Sequence, residues 1–283
     1  MVSRQQIGQV AIVCMMCIST VWATDTRREF KYNVGPRAAV TINNEFGPIS
    51  VKPSTGNEVI VNATLHSDKV EIDNSQRGNR LEFRSHLLAG ATPENGQVEY
   101  EVMVPSDAIV TVRSTVGLLR AEQLRGDLAM EGDSAQIEVR DVSHSHVHVR
   151  TLNGPITLTN IQYGHVEVTS VGGDITLNGV SGPYVEVTST SGKIRYDGDF
   201  GIGGEYKMTS HTGDIDATIP AEASVDVMAR SVRGDVQNDF PLSPKTHSSF
   251  IPVPGRSLVG TAGKAASSVL LRTFSGKIRL KKR

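Results

Sequence analysis

The chain reads as all-β: a single-chain β-solenoid, a short-period β-helix whose coils take about 19–21 residues, with capping hairpins near its N-terminus. Three observations predict this. First, one phrase recurs. An alternating apolar pair is followed by Ser or Thr, then by Gly seven residues after the pair's first member, then by a branched apolar residue two further on. It reads Val147-His148-Val149 to Gly154-Pro155-Ile156, Val166-Glu167-Val168 to Gly173-Asp174-Ile175, Val185-Glu186-Val187 to Gly192-Lys193-Ile194, and Tyr206-Lys207-Met208 to Gly213-Asp214-Ile215. The glycines advance by 19, 19 and 21 residues, and a fixed period near 20 marks a repeat that stacks. Second, each copy alternates apolar and polar residues, the period of a strand with one buried face. Third, signals that start or stop helices are almost absent.

In chain order, residues 1–23 have the form of a secretory signal peptide. Arg4 supplies the positive start, Val10 to Ile18 the apolar stretch, and Val21-Trp22-Ala23 a small-x-small cleavage site. Both cysteines, Cys14 and Cys17, fall inside that stretch, so the mature chain is expected to carry no thiol, disulfide or lipid anchor. Without Arg4, 28 basic residues face 30 acidic ones. That balance argues against nucleic acid, which needs a concentrated basic face. No later segment is apolar enough to span a bilayer, and the chain ends in Lys281-Lys282-Arg283.

The domain is expected over 24–283. Its first copy is Val40-Thr41-Ile42 to Gly47-Pro48-Ile49. Residues 51–105 depart from the repeat, with longer strands and turns at Thr55-Gly56-Asn57 and Arg77-Gly78-Asn79, and are read as inserted or capping hairpins. Caps matter because an open end coil is an adhesive sheet edge. Copies then start at Val110, Leu128 (with Ala135 at the Gly position), Val147, Val166, Val185, Tyr206 and Val227. A Pro/Gly-rich excursion, 240–264, precedes a final copy at Val269, making nine. The Gly position is expected to take a positive φ where one strand bends into the next. Stacking should align Val149, Val168, Val187 and Met208, and likewise Ile156, Ile175, Ile194 and Ile215. It should also align Thr151, Ser170, Ser189 and Ser210 as a hydroxyl row bonding to itself, and Asp174, Lys193 and Asp214 as alternating charges. Each buried aliphatic is worth about 1.5–3 kcal/mol, but one coil alone has no second layer, so stacking makes the core.

The run Val102-Met103-Val104-Pro105 through Val110-Thr111-Val112 to Gly117 resembles a hallmark of one bacterial family. So do the Thr/Ser-x-x-Gly-Asp/Lys-Ile steps within Thr188–Ile194, Thr209–Ile215 and Thr273–Ile278. The family is the exported adhesin-like domain of unknown function, also called a toastrack-type β-solenoid. The resemblance covers residues 30–283. It implies an exported all-β solenoid at the cell envelope with no established catalytic activity and no cofactor. Some relatives are associated with envelope stress.

Among groups that could carry chemistry, His144, His146 and His148 share one strand face. The expected register sets His146 beside His165 and His148 beside Glu167. Two histidines at i and i+2 with a third from a neighbouring coil could hold a metal ion. Tyr163, Tyr184 and Glu167 complete a surface patch with these histidines. Carboxylates on the coils, Asp174, Asp214, Asp216, Asp235, Glu167 and Glu186, are the residues a glycan-cleaving β-helix would use. No nucleophile elbow or phosphate-cradling loop is present. The leading expectation is therefore a non-enzymatic scaffold or interaction surface at the envelope, serving adhesion or the stress response, with an envelope protein or surface glycan as partner. A carbohydrate-active enzyme using Asp174 or Asp214, and a metal-binding envelope protein, are the alternatives.

Overall fold

The structure, a computed structural model, describes residues 25–245 and 252–283. The signal-peptide residues 1–23, with Cys14 and Cys17, lie outside the described residues. The N-terminal strands are β1 (Thr26–Asn33), β2 (Ala39–Phe46), β3 (Ile49–Pro53), β4 (Glu58–Leu65), β5 (Val70–Arg77), β6 (Arg80–Leu87) and β7 (Val98–Val104). Six regular windings follow. They are β8 (Ile109–Val116) with β9 (Leu118–Glu122), β10 (Leu128–Gly132) with β11 (Gln136–Ser143), and β12 (His146–Thr151) with β13 (Ile156–Gln162). Next come β14 (His165–Ser170) with β15 (Ile175–Asn178), β16 (Tyr184–Ser189) with β17 (Ile194–Asp197), and β18 (Glu205–Ser210) with β19 (Ile215–Ile219). The C-terminal strands are β20 (Val225–Ser231), β21 (Val236–Asn238), β22 (Ser243–Pro244), β23 (Ser257–Ala262), β24 (Ser267–Thr273) and β25 (Ile278–Lys282).

Each winding gives one strand to each of two sheets. Sheet 1 runs β1-β4-β7-β3-β9-β11-β13-β15-β17-β19-β25-β21, and sheet 2 runs β22-β23-β20-β24-β18-β16-β14-β12-β10-β8-β2-β6-β5. The predicted ladders hold in register. Val149 pairs with Val168, Val168 with Val187 and Val187 with Met208 on sheet 2. Ile156, Ile175, Ile194 and Ile215 pair in turn on sheet 1. All eight are buried, as are Leu124, Val142, Ile161 and Val180 at the second bend. The alternation read from sequence thus becomes two inward faces closing over one dry interior.

The bend glycines do not take the φ that their residue type suggested. Gly47 and Gly117 have positive φ (111° and 140°), but Gly154, Gly173, Gly192, Gly213 and Gly276 are not among the positive-φ residues. They are required by close stacking instead. A Cβ on Gly173 would lie 1.9 Å from the Gly154 carbonyl oxygen, and one on Gly192 would lie 2.0 Å from that of Gly173. Backbone stacks on backbone there, with no room for a methyl group. The hydroxyl row also differs. Ser170 Oγ donates to the Gly173 carbonyl at 2.8 Å, Ser189 Oγ to that of Gly192 at 2.9 Å, and Gly154 N–H donates to Thr151 Oγ1 at 3.1 Å. The hydroxyls satisfy corner backbone groups three residues on, where the ladder breaks and buried polar groups need partners. The Leu128 copy exchanges the two sizes. Gly132 stands where its neighbours have Ser or Thr, and a Cβ there would meet the Ala135 methyl at 2.8 Å. Ala135 is tolerated because its methyl occupies the volume that the hydroxyl fills elsewhere.

Windings do not stack in strict chain order at either end. The β24–β25 winding lies between β18–β19 and β20–β21: Leu271 pairs with both Met208 and Ala229, and Ile278 with both Ile215 and Val236. The last repeat therefore slides inside the previous one. The physical reason lies in composition. Val269, Leu271, Ile278 and Leu280 are all buried, whereas β21 offers half-exposed Val236 followed by exposed Gln237 and Asn238. The more apolar winding gains from cover on both sides, and the poorer one takes the end. The 240–264 segment supplies β22 and β23, which extend sheet 2, β23 antiparallel to β20 and β22 antiparallel to β23. At the other end β6 and β7 stack parallel on β2 and β3, a tenth winding within 51–105 that the repeat count missed. Phe83 and Tyr100, which stack on Ile42 and Ile49, lie seventeen residues apart where the phrase has seven, and that longer bend hid it. Hairpin partner β5 closes sheet 2, and β4 and β1 close sheet 1.

Candidate functional site

Parallel pairing turns each outward position into a row along the solenoid axis, so side chains far apart in sequence become neighbours about 4.8 Å apart. On sheet 2, His146, His165 and Tyr184 form one row, and His148, Glu167, Glu186 and Lys207 the next. The His146 and His165 rings are stacked, with centroids 4.9 Å apart and planes 9° off parallel. That spacing is the strand spacing, so the rings stand in file and present their edges to solvent. Tyr184 sits beside His165 at 6.2 Å, tilted by 59°. At the adjoining corner His144 and Tyr163 stack at 5.1 Å. Both have left-handed backbones, with φ of 56° and 57°. Tyr163 is 66% exposed.

The second row is joined in pairs by polar contacts. His148 Nδ1 is 3.4 Å from Glu167 Oε2, Lys207 Nζ pairs with Glu186, and Tyr184 OH donates to Glu186 at 2.6 Å. Hydrogen bonds from Lys207 and then Tyr184 lower the Glu186 carboxyl below its usual range. The same Tyr184–Glu186 bond, with partial desolvation and nearby carboxylates, pushes the Tyr184 phenol up to about 12. The structure therefore sets five of the seven predicted patch residues, His146, His148, His165, Glu167 and Tyr184, on the sheet 2 face, whereas His144, expected on the same strand face, turns out at the corner before β12 and stacks there on Tyr163. Among the described residues no group of three His, Cys, Asp or Glu is arranged to hold a metal ion.

On sheet 1 the expected Asp174–Lys193–Asp214 alternation pairs differently. Lys193 Nζ reaches Asp216 at 2.7 Å, not Asp214. Asp174 accepts the Lys193 backbone N–H at 2.9 Å and Arg195 at 3.1 Å. Asp214 accepts the Lys277 N–H at 2.8 Å and Arg279 at 3.1 Å. Arg279 also holds Asp216 at 2.8 Å. Two of these cations, Arg195 and Arg279, stand two positions past the bend glycine's neighbour, a pairing decided by side-chain reach and invisible in the one-row reading. Burial alone would raise the Asp216 carboxyl, but hydrogen bonds and charge from Lys193 and Arg279 outweigh it, and its pKa lies below the ordinary value. A second network joins Arg120, Glu138 and Arg140, with Arg120 Nη2 at 3.0 Å and Arg140 Nη2 at 3.2 Å from Glu138.

Residues 38–281 match the family profile described as Toastrack DUF4097, and the chain belongs to that family, a domain of unknown function. No curated protein matches the chain. Three solved structures are similar to it. A candidate cell adhesion protein from Clostridium sporogenes ATCC 15579 is 12% identical, with a TM-score of 0.31, over 91% of this chain and 100% of that one. A candidate adhesin from Bacteroides fragilis NCTC 9343 is 11% identical, with a TM-score of 0.45, over 91% and 98%. Another from Parabacteroides merdae ATCC 43184 is 11% identical, with a TM-score of 0.40, over 91% and 96%. Among the described residues no helix is long and apolar enough to cross a membrane.

Proposed function

We propose that this chain is a non-catalytic, exported interaction surface that acts at the bacterial cell envelope. One observation carries the reading: outward side chains stand in fixed axial rows on two parallel sheets whose interior is filled by aliphatic ladders. Such a surface is stiff, and binding to it orders few groups that were free before. The carboxylates that a hydrolase would need support the same view. Asp174 and Asp214 each place one oxygen on a backbone N–H of the next coil and the other on an arginine. Both oxygens of each carboxylate are thus already engaged by neighbouring donors, whereas glycoside hydrolysis needs a carboxyl group that reaches the substrate.

Export of the tagged full-length chain, followed by cell fractionation and cross-linking of intact cells, tests this. The mature protein is expected in the envelope or outside the cell, cross-linked to an envelope component. Retention in the cytosol, or turnover of a polysaccharide abolished by Asp174→Ala or Asp214→Ala, contradicts it.

A further inference from the structure

The seven-residue patch is not the most ligand-shaped part of the surface. On sheet 2, at the bend over β6, β2, β8, β10 and β12, lies a groove of about 630 Å³. One wall is the row Arg84, Asn43, Arg113, Glu131 and Arg150. The other carries Glu45, Thr115, Asp133 and, at its end, Leu152. The floor is the small-residue row between them, Ser85, Asn44, Ser114 and Gly132. That floor is fixed from below. Asn44 donates to the carbonyls of Phe46 at 3.0 Å and Val98 at 2.8 Å and accepts from Ser85 at 2.6 Å, and Ser85 bonds the buried Tyr100 hydroxyl at 3.0 Å. Four strand steps of about 4.8 Å make the groove roughly 19 Å long from Arg84 to Arg150.

The charges of this groove distinguish it from the internally paired rows of sheet 1. Arg113 is neutralised by Glu131 at 3.1 Å, and Glu45 accepts from Thr115 at 3.0 Å. Arg84, Arg150 and Asp133 are exposed, and among the described residues their side chains have no ion pair or hydrogen bond. Three arginines and three carboxylates line the groove, so its net charge is zero, with donors concentrated on one wall and acceptors on the other. An anion would be drawn to one wall and repelled by the other, and a cation the reverse. A hydroxyl group both donates and accepts, so a polyhydroxylated chain can accept from the guanidiniums and donate to the carboxylates at once. Exposed Leu152 offers the apolar surface that a sugar ring's C–H face needs.

We infer that this groove binds an uncharged oligosaccharide, lying along the solenoid axis with hydroxyls bridging Arg84, Arg150 and Asp133. The inference deepens the reading of the chain as an interaction surface by naming the chemical class that one part of it takes. The test uses the mature chain and a panel of tetrasaccharides. Neutral members are built from glucose, mannose, galactose or N-acetylglucosamine, and the controls are an oligogalacturonate and an oligoglucosamine. Calorimetry and backbone-amide NMR titrations are run at low and high salt.

At least one neutral member is expected to bind, with an affinity unaffected by salt, because no net charge is screened. Amide shifts should centre on residues 43–45, 84–85, 113–115, 131–133 and 150–152. Arg150→Ala and Asp133→Ala should each weaken binding by about tenfold or more without lowering the melting temperature, since neither side chain has a structural partner. Arg195→Ala on sheet 1 should have no effect. The inference is overturned if no neutral member binds at millimolar concentration, if only the acidic control binds, or if the shifts and the variants point elsewhere. A chain that binds the neutral sugar but stays in the cytosol refutes the envelope reading alone. One located in the envelope but blind to every neutral member refutes this inference alone.

Discussion

Replacing Gly192 by Ala tests the stacking that defines this fold. The new methyl would lie 2.0 Å from the Gly173 carbonyl oxygen and 2.6 Å from its carbon, whereas ordinary contact begins near 3.4 Å. The two windings must therefore part by about 1.4 Å at the bend, nearly a third of the strand spacing. Overpacking of this kind costs about 1–3 kcal/mol. Parting the bend also stretches three bonds that cross it, Lys193 N–H to Asp174 at 2.9 Å, Ile175 N–H to the Lys193 carbonyl at 2.8 Å and Ser191 N–H to the Val171 carbonyl at 2.8 Å. With roughly 0.5–1.5 kcal/mol for each of the three bonds, the total loss is about 2.5–7.5 kcal/mol. Gly78→Ala provides the contrast. Gly78 has a φ of +60° and nothing within 4 Å of its added Cβ, so only left-handed strain of about 1–2 kcal/mol applies. Urea titrations of the mature chain, followed by far-UV circular dichroism and read at the first transition, compare the two. A Gly192→Ala loss no larger than that of Gly78→Ala would refute the stacking argument.

Three further outcomes are expected. Gly132→Ser alone should destabilise by about 1–3 kcal/mol through collision with the Ala135 methyl, and adding Ala135→Gly should recover most of it; additive losses in the double variant would contradict the size exchange. Asp216 has its pKa depressed below 3.8, so it favours the native state above that value and loses the effect as pH falls through the native pKa. Asp216→Asn should therefore cost roughly 1–2 kcal/mol at neutral pH, with the gap from wild type closing only in strong acid, and a gap independent of pH would be the opposing result. Truncation after Lys264 removes β24 and β25, the layer between β18–β19 and β20–β21. Amide exchange should then speed up across 225–262 while β8–β17 stay protected; full protection of β20 would show that it can dock directly on β18.

The architecture was legible in the chain because a repeat reports its own geometry. Alternation identified the inward residues Val149, Val168 and Val187, the 19-residue advance identified their register, and both follow from local backbone periodicity. The seven-residue patch was legible for the same reason, since register alone sets His146 against His165. The sugar-binding groove was not. Its walls come from five windings, and one of them, β6, follows β2 in the chain yet stacks on the far side of it from β8.

What the sequence alone determined is the coil: which residues face inward, where each winding bends, and that small residues must stand at the bend. Only the tertiary structure decided why they must be small, which cation meets which carboxylate, and where the first and last windings sit. Those outcomes depend on distances between different coils, and on competition among windings for cover on both sides. No local pattern records either one. Gly173 and Gly192 look like turn residues in the sequence and prove to be the contact surface between two layers of backbone.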